Sequence, residues 1–444
     1  MQHRKYMEAC ISILVVSLIM FLSACLPRQG SSLIVHTHPA SGEVLSAYGW
    51  VGISFSQPFQ AETVGAAFSI LPEVEGETFW QGSTFWFRPI TAFEGERSYQ
   101  ARLSGDLRTT DGQTVTVNET WTFTIRQPEM IYYVPQGEGG EIWRAASDGA
   151  QAQPLSNTGG RVMDFSVDRS GNRIAFTVQN EVGGQDVWVM ERSGVDQRLL
   201  VDCWQDPCGE PAWSMDRSAI AYTRQVDLTA QVWTVDVESG ETAPLFSHKP
   251  AYGFSPAYSP DGRKLAYYDT TAQAITIMDL QTSEEKVVQR AMPGSGDWSP
   301  DGSQIIFTDL VPAHHEPFVD AYVYDLASQT VKPAFGESTG DTEFSQPRWH
   351  PNGNWAAVSL RPVNAAISKA LWVLPLIKRD PILIDDNQSA TFSAYQWDPW
   401  GESLLYQRYD LGGSEPRASI WRWDWRTRQR TLLIENGARP QWLP

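Results

Sequence analysis

Apolar and polar residues alternate in short runs along most of this chain, and clusters of Gly, Pro, Asp, Asn and Ser separate the runs. Alternation with period two places every second side chain on one face of a strand. It is clearest in Trp121-Phe123-Ile125 and in Phe85-Phe87. Between residues 33 and 126 the runs are LIVHT, GWVGISFS, AAFSI, ETFWQ, TFWFRP, SYQARLSG and ETWTFTIR. That many short strands in so short a stretch predict a sandwich of two sheets. Beyond residue 130 the pattern changes from a run of strands to a repeat. FSVDRSGNRIAFT from Phe165 is echoed from Trp213, Tyr258, Trp298, Trp349 and Trp397, at intervals of 48, 45, 40, 51 and 48 residues. Each echo is an aromatic, a tight turn and an apolar strand. A second strand follows, such as QVWTVDVESG or AITIMDLQT, and a shorter one closes the unit.

Four strands per repeat of roughly 45 residues is the period of a β-propeller blade. The predicted fold is therefore all-β: a sandwich followed by a propeller. The C-terminal stretch Ala438–Pro444 carries Trp442, 45 residues after Trp397, and it stops at the turn. The strands it lacks are present directly after the sandwich, at Met130–Val134, Glu141–Ala145 and Gln153–Leu155. One blade is thus expected to be split between the two ends of the chain, closing the ring without a free edge. This gives seven blades, with six as the alternative if the Met130 segment is only a linker.

Two family resemblances rest on these residues. Pro39 and Gly42, Ile53-Phe55-Ser56-Pro58, Thr63-Val64, Pro72-Val74-Gly76, Phe87-Pro89 and Tyr99-Leu103 follow the order of features in the bacterial Ig-like domain. The module at 33–127 resembles that domain, which implies a spacer or adhesion role. The repeat resembles the TolB-like propeller motif W-S-P-D-G-x-x-I-A-F. Tyr258–Tyr268 and Trp298–Thr308 match it well, Phe165–Thr177 and Trp213–Thr223 lack the Pro, and the Trp349 and Trp397 units carry His350 and Asp398 in place of Ser. The resemblance spans 128–444 and implies the fold far more than a function.

The N-terminus reads as an address. Arg4 and Lys5 precede an apolar run from Ile11 to Leu22, too short for the roughly 20 residues of a spanning helix. It ends in Leu22-Ser23-Ala24-Cys25, which resembles the lipobox of bacterial lipoproteins. The resemblance implies a signal peptide at 1–24, a thioether-linked lipid on Cys25, a linker at 25–32, and an extracytoplasmic protein anchored to the cell membrane. Of the four cysteines, Cys10 lies in that signal and Cys25 would carry lipid. Cys203 and Cys208 remain, flanking an Asp-Pro turn signal, and in an oxidising compartment they are expected to form a disulfide.

Charge narrows the function. With 52 acidic residues against 34 Lys plus Arg, the net charge of −18 argues against a nucleic-acid partner. No Gly-x-Ser-x-Gly elbow, phosphate loop or HExxH helix is present, so no catalytic residue or cofactor is expected. His314-His315-Glu316 is the only His cluster. Neighbours on an extended segment point opposite ways, so no metal site is expected there. The recurring Trp residues are expected in the core between blades, although Trp400, in the Asp398-Pro-Trp-Gly turn, has no such explanation. Asp269 and the Asp385-Asp386 pair are expected to be solvated. The candidate binding residues are those that lead into the inner strands at one channel mouth: Asp164, Glu210, Asp297, Arg348, Gln396 and Arg439. Two function classes follow. One is a non-catalytic lipoprotein that binds a protein or a cell-wall or glycan component through the propeller. The other is a propeller lyase or hydrolase acting on an extracellular polymer at the channel mouth.

Overall fold

The structure, a computed structural model, describes residues 34–246, 249–312, 317–337, 340–345, 347–412 and 417–444. The expected signal segment 1–24, the linker with Cys25, and His314-His315-Glu316 lie outside the described residues.

The N-terminal module is a sandwich of two four-stranded sheets. One has the order Ile34–His38, Val51–Phe55, Thr84–Pro89, Gly76–Gln81, and the other Val44–Leu45, Thr114–Ile125, Ser98–Arg108, Phe68–Leu71. The alternating residues face each other across it. Val51, Ile53 and Phe55 meet Tyr99, Ala101 and Leu103, with Trp121, Phe123 and Ile125, in one buried cluster. The AAFSI strand begins later than the alternation predicts. Ala66 and Ala67 end a helix, Ala61–Ala67, and the strand is Phe68–Leu71. Three alanines favour the helix, Glu62 sits in its first turn, and Val64 is buried. Too short a run of apolar residues cannot separate the two periods.

The remaining strands form antiparallel sheets, each named here by its core aromatic. The Trp213 sheet is typical: Cys208–Trp213, Ala219–Val226, Thr229–Asp236 and Thr242–Pro244, side by side in chain order. The Tyr258, Trp298 and Trp397 sheets repeat it, as does the Phe165 sheet, which the Gly140–Val162 bridge joins to the strands around Trp442. In the Trp349 sheet the innermost strand is in two pieces, Thr342–Phe344 and Arg348–Trp349, both paired with Trp355–Pro362. The Trp442 sheet takes Ala438–Leu443 from the C-terminus and Glu129–Gln136, Gly139–Ala146 and Gln153–Pro154 from the segment after the sandwich. Trp442 lies opposite Met130.

The turn after each inner strand explains its motif. In Ser259-Pro-Asp-Gly262 the Ser259 hydroxyl accepts the Lys264 N–H at 2.9 Å, Asp261 accepts the Arg263 N–H at 3.0 Å, and Gly262 takes φ +71°. Ser299-Pro-Asp-Gly302 repeats these bonds. Upstream of these turns the inner strands are bulged. The register shifts before Asp164, Ala212, Ala257, Gln396 and Gln441. Glu210, Ser255, Ala394 and Arg439 have positive φ there. A bulge re-aims a side chain, so the polar residues at this end turn toward the neighbouring sheet.

Candidate functional site

The inner strands thus have a turn end and a bulge end, and the sandwich packs on the turn end. Trp400 is the main contact. Its ring lies against the sandwich core and Gly95, and its indole N–H donates to the Phe93 carbonyl at 2.8 Å. Arg169 and Arg217, from two other turns, lie 4.3 and 4.2 Å over the rings of Tyr48 and Trp50. Arg169 also donates to the Pro260 and Ile90 carbonyls. Arg126, at the end of the sandwich, donates to the main-chain oxygens of Pro444 and Ser170 and to the Asn172 side chain. Burial pulls its pKa down to about 10. Sequence reasoning missed this interface, and the one signal for it was the Trp in a turn that the core did not need.

The six candidate residues lie upstream of the turns, within three residues of a core aromatic, where they tie neighbouring sheets together. Glu210 accepts the Ser255 N–H and hydroxyl at 2.7 and 2.8 Å, joining the Trp213 and Tyr258 sheets. Asp297 pairs with Arg348 at 2.6 Å and accepts the Trp349 N–H at 2.8 Å, joining the Trp298 and Trp349 sheets. Arg348 continues to the Tyr395 carbonyl at 3.3 Å in the Trp397 sheet. Gln396 accepts the Trp442 N–H at 2.6 Å. Arg439 donates to the Met163 carbonyl at 2.7 Å and lies 3.6 Å from Asp164, bridging from the C-terminal strand to the Phe165 sheet. The core Trp residues add a second set of ties. The indole N–H of Trp213 donates to Ser166, that of Trp298 to Ala257, that of Trp349 to Asp297 and that of Trp442 to Gln396, each time to a carbonyl of the preceding sheet.

The electrostatics follow from these ties. Burial raises the Asp164 carboxyl, and Glu210 adds to the rise, while the Phe165 N–H and Arg439 oppose it. Asp297 raises the Arg348 pKa further, against the effect of burial. No group of three or more His, Cys, Asp or Glu among the described residues could hold a metal ion. Cys203 and Cys208 are bonded to each other in the loop that leads into the Trp213 sheet. Asp385 corrects the expectation of a solvated pair. Asp386 is exposed, but Asp385 is 1 % exposed and pairs with Arg430 at 2.7 Å, with Arg408 at 3.7 Å. The two cations come from the neighbouring Trp397 sheet, which sequence spacing does not reveal.

Residues 32–125 match the family described as the bacterial Ig-like domain, and residues 170–311 match the TolB β-propeller domain. The chain carries a bacterial Ig-like domain followed by a TolB-type propeller domain. Among known proteins, the uncharacterised protein Atu1656 of Agrobacterium fabrum is 23% identical over 248 residues, covering 53% of this chain and 83% of its own. TolB from Acinetobacter baumannii is similar in structure at 17% identity, with 86% of this chain and 84% of that chain covered and a TM-score of 0.43. An oligogalacturonate lyase in complex with manganese has 17% identity, coverage of 61% and 75%, and a TM-score of 0.43. The β-propeller domain of the Trilobed protease from Pyrococcus furiosus has 14% identity, coverage of 77% and 93%, and a TM-score of 0.48. Within the TolB-type propeller domain, Tyr258–Tyr268 and Trp298–Thr308 lie inside the matched stretch, whereas the Trp349, Trp397 and Trp442 sheets lie beyond it. Among the described residues no helix is long and apolar enough to cross a membrane.

Proposed function

We propose that this is an extracytoplasmic lipoprotein, held to the membrane through Cys25, that binds a protein or cell-wall component with the bulge-end face of its propeller. One observation carries the reading. The Ig-like module covers the turn end through Trp400, Arg169, Arg217 and Arg126, so the bulge end is the propeller face left for a partner. The module acts as a cap as much as a spacer. The anchor rests on Leu22-Ser-Ala-Cys25. Two or more acyl chains give a firm hold on a bilayer. Cys25→Ser is expected to abolish labelling by a fatty-acid probe.

The binding face is tested with a charge swap, Asp297→Lys with Arg348→Glu, which keeps an ion pair between the two sheets while inverting its polarity. Crosslinked partner recovery from native membranes should fall by more than the accompanying loss of stability, about 1–3 kcal/mol from the Trp349 N–H left without its acceptor, accounts for. Recovery equal to wild type would move the site away from this mouth. The competing reading, a lyase or hydrolase, is favoured by Asp164, a carboxyl held above its usual range beside Arg439 as a general acid would be. Asp164→Asn should then remove any polymer-cleaving activity and leave partner recovery intact.

A further inference from the structure

Three apolar side chains on the rim of the bulge end stand where folding gives no reason for them. Trp204 occupies the loop closed by the Cys203–Cys208 disulfide. The two cysteines are buried beside Val187 and Trp213, and the loop main chain is pinned by the Asn180 side chain at 2.7 Å and by Asp202 at 2.9 Å. Yet the Trp204 residue is 64 % exposed and has φ +56°. Leu228 is the second residue of the two-residue turn between Val226 and Thr229, with φ +65°, and is 99 % exposed. Such a position favours Gly or Asn. Val182, 53 % exposed, lies in the hairpin loop against which the Trp204 loop packs. An isolated exposed apolar residue needs no explanation. Two bulky ones held in left-handed backbone at the ends of adjacent sheets bear both exposure and strain, as binding residues do.

The surroundings identify the occupant. Glu181, Asp202 and Asp227 are exposed beside these three residues. The nearby cation, Arg224, is committed to Asp206 at 2.9 Å. We propose that this rim docks a polypeptide segment that presents an apolar side chain flanked by Lys or Arg. Trp204 is the anchor, and the disulfide holds it in place so that little freedom is lost on binding. Carboxylates around the apolar tips repel an anionic lipid surface. The aliphatic neighbours Leu228 and Val182 suit an apolar side chain better than a sugar ring. The site is separate from the channel mouth proposed above and does not depend on it.

The test is panning of a random dodecapeptide library on purified, oxidised protein. Enriched peptides should share an aromatic or aliphatic residue next to Lys or Arg. Their affinity should fall about tenfold or more on Trp204→Ala and on Leu228→Asn, an exchange that the turn geometry itself favours. It should also fall as salt rises from about 50 to 500 mM. The Asp297→Lys, Arg348→Glu protein should bind them as wild type does. No enrichment over a bare surface, or peptides bound equally by Trp204→Ala, would overturn the proposal. So would Trp204-dependent binding to phosphatidylglycerol vesicles in place of peptide. Peptides lost on the charge swap but kept on Trp204→Ala would support the channel-mouth reading and reject this one.

Discussion

Two turns in which the motif serine is replaced carry opposite pH dependences. His350 is 4 % exposed, packed between Trp397 and Trp425. Its Nδ1 accepts the Asn352 N–H at 3.0 Å and its Nε2–H donates to the Gly401 carbonyl at 2.9 Å, so the ring is satisfied when neutral. Burial pulls its pKa from 6.5 down to about 4. Asp398, 6 % exposed, accepts the Trp400 and Glu402 N–H groups, yet burial pushes its carboxyl from 3.8 up to about 7. For His350 the unfolded chain takes up the proton first. Its contribution is therefore complete above pH 6.5 and is lost as pH falls toward 4. For Asp398 the folded chain holds the proton longer, so its contribution is complete below pH 3.8 and is lost as pH rises toward 7. At about 1.4 kcal/mol per unit, the first is worth about 3 kcal/mol and the second about 4 kcal/mol. In the native protein the two nearly cancel, and their joint contribution to stability should be flat to within about 1 kcal/mol between pH 4.5 and 6.5. Restoring the motif serine unmasks one partner at a time. His350→Ser should lose about 3 kcal/mol of stability between pH 4.5 and 7, and Asp398→Ser should gain about 2 kcal/mol over the same range. Urea melts at each pH, with the slope held common, read both changes. The lost ring contacts of His350 shift the whole curve, but its dependence on pH is the readout. Wild type, His350→Ser and Asp398→Ser curves that run parallel would refute the assignment of both groups.

Trp400→Ala removes the indole bond to Phe93 and the ring contact with Gly95, about 2–3 kcal/mol in all. Calorimetry should then resolve two transitions where one is expected for the native protein, and a single transition in the variant would mean that the Ig-like module docks without Trp400. Trp442→Ala empties a buried site against Leu405 and Ile420 and deletes the indole tie to Gln396, so the melting transition should fall by about 3–5 kcal/mol of stability. A mutant that melts with wild type would show that the C-terminal strand does not close the ring. The peptide spanning Cys203 and Cys208, released without reduction, should weigh two hydrogens less than the dithiol form, and two alkylatable thiols in native protein would contradict the bond.

The β architecture was legible because both periods repeat. A core aromatic and a turn every 40 to 51 residues leave little freedom in where the inner strands lie. The pairing of Trp442 with Met130 was legible for the same reason, since a unit missing its outer strands must find them elsewhere. What the sequence hid depends on which residues meet from different sheets. Asp385 and Asp386 are adjacent and chemically alike, but only Asp385 meets Arg430 and Arg408 from the next sheet. Helix Ala61–Ala67 was missed because a run that short satisfies either period. Asp164, Glu210, Asp297, Arg348, Gln396 and Arg439 were expected at a channel mouth; they lie within three residues of the core aromatics, and their bonding could not be read from position alone.

That bonding changes what a polar ring means in this fold. An inner strand has a partner on its outer side only, and its channel-side groups would otherwise face the axis unpaired. At four junctions one polar side chain reaches the next sheet, where it takes a main-chain N–H or carbonyl: Ser255 N–H for Glu210, Trp349 N–H for Asp297, Trp442 N–H for Gln396, the Met163 carbonyl for Arg439. The indole of the core Trp makes the same kind of bond from the next sheet back to its predecessor. Residues committed in this way hold the ring shut, and replacing one leaves a partner unsatisfied at a cost of about 1–3 kcal/mol. Loss of binding on mutating such a residue therefore reports on the site only when melting is measured beside it. The Trp204 and Leu228 side chains stand exposed, and a substitution there that alters recognition without altering stability locates the contact directly.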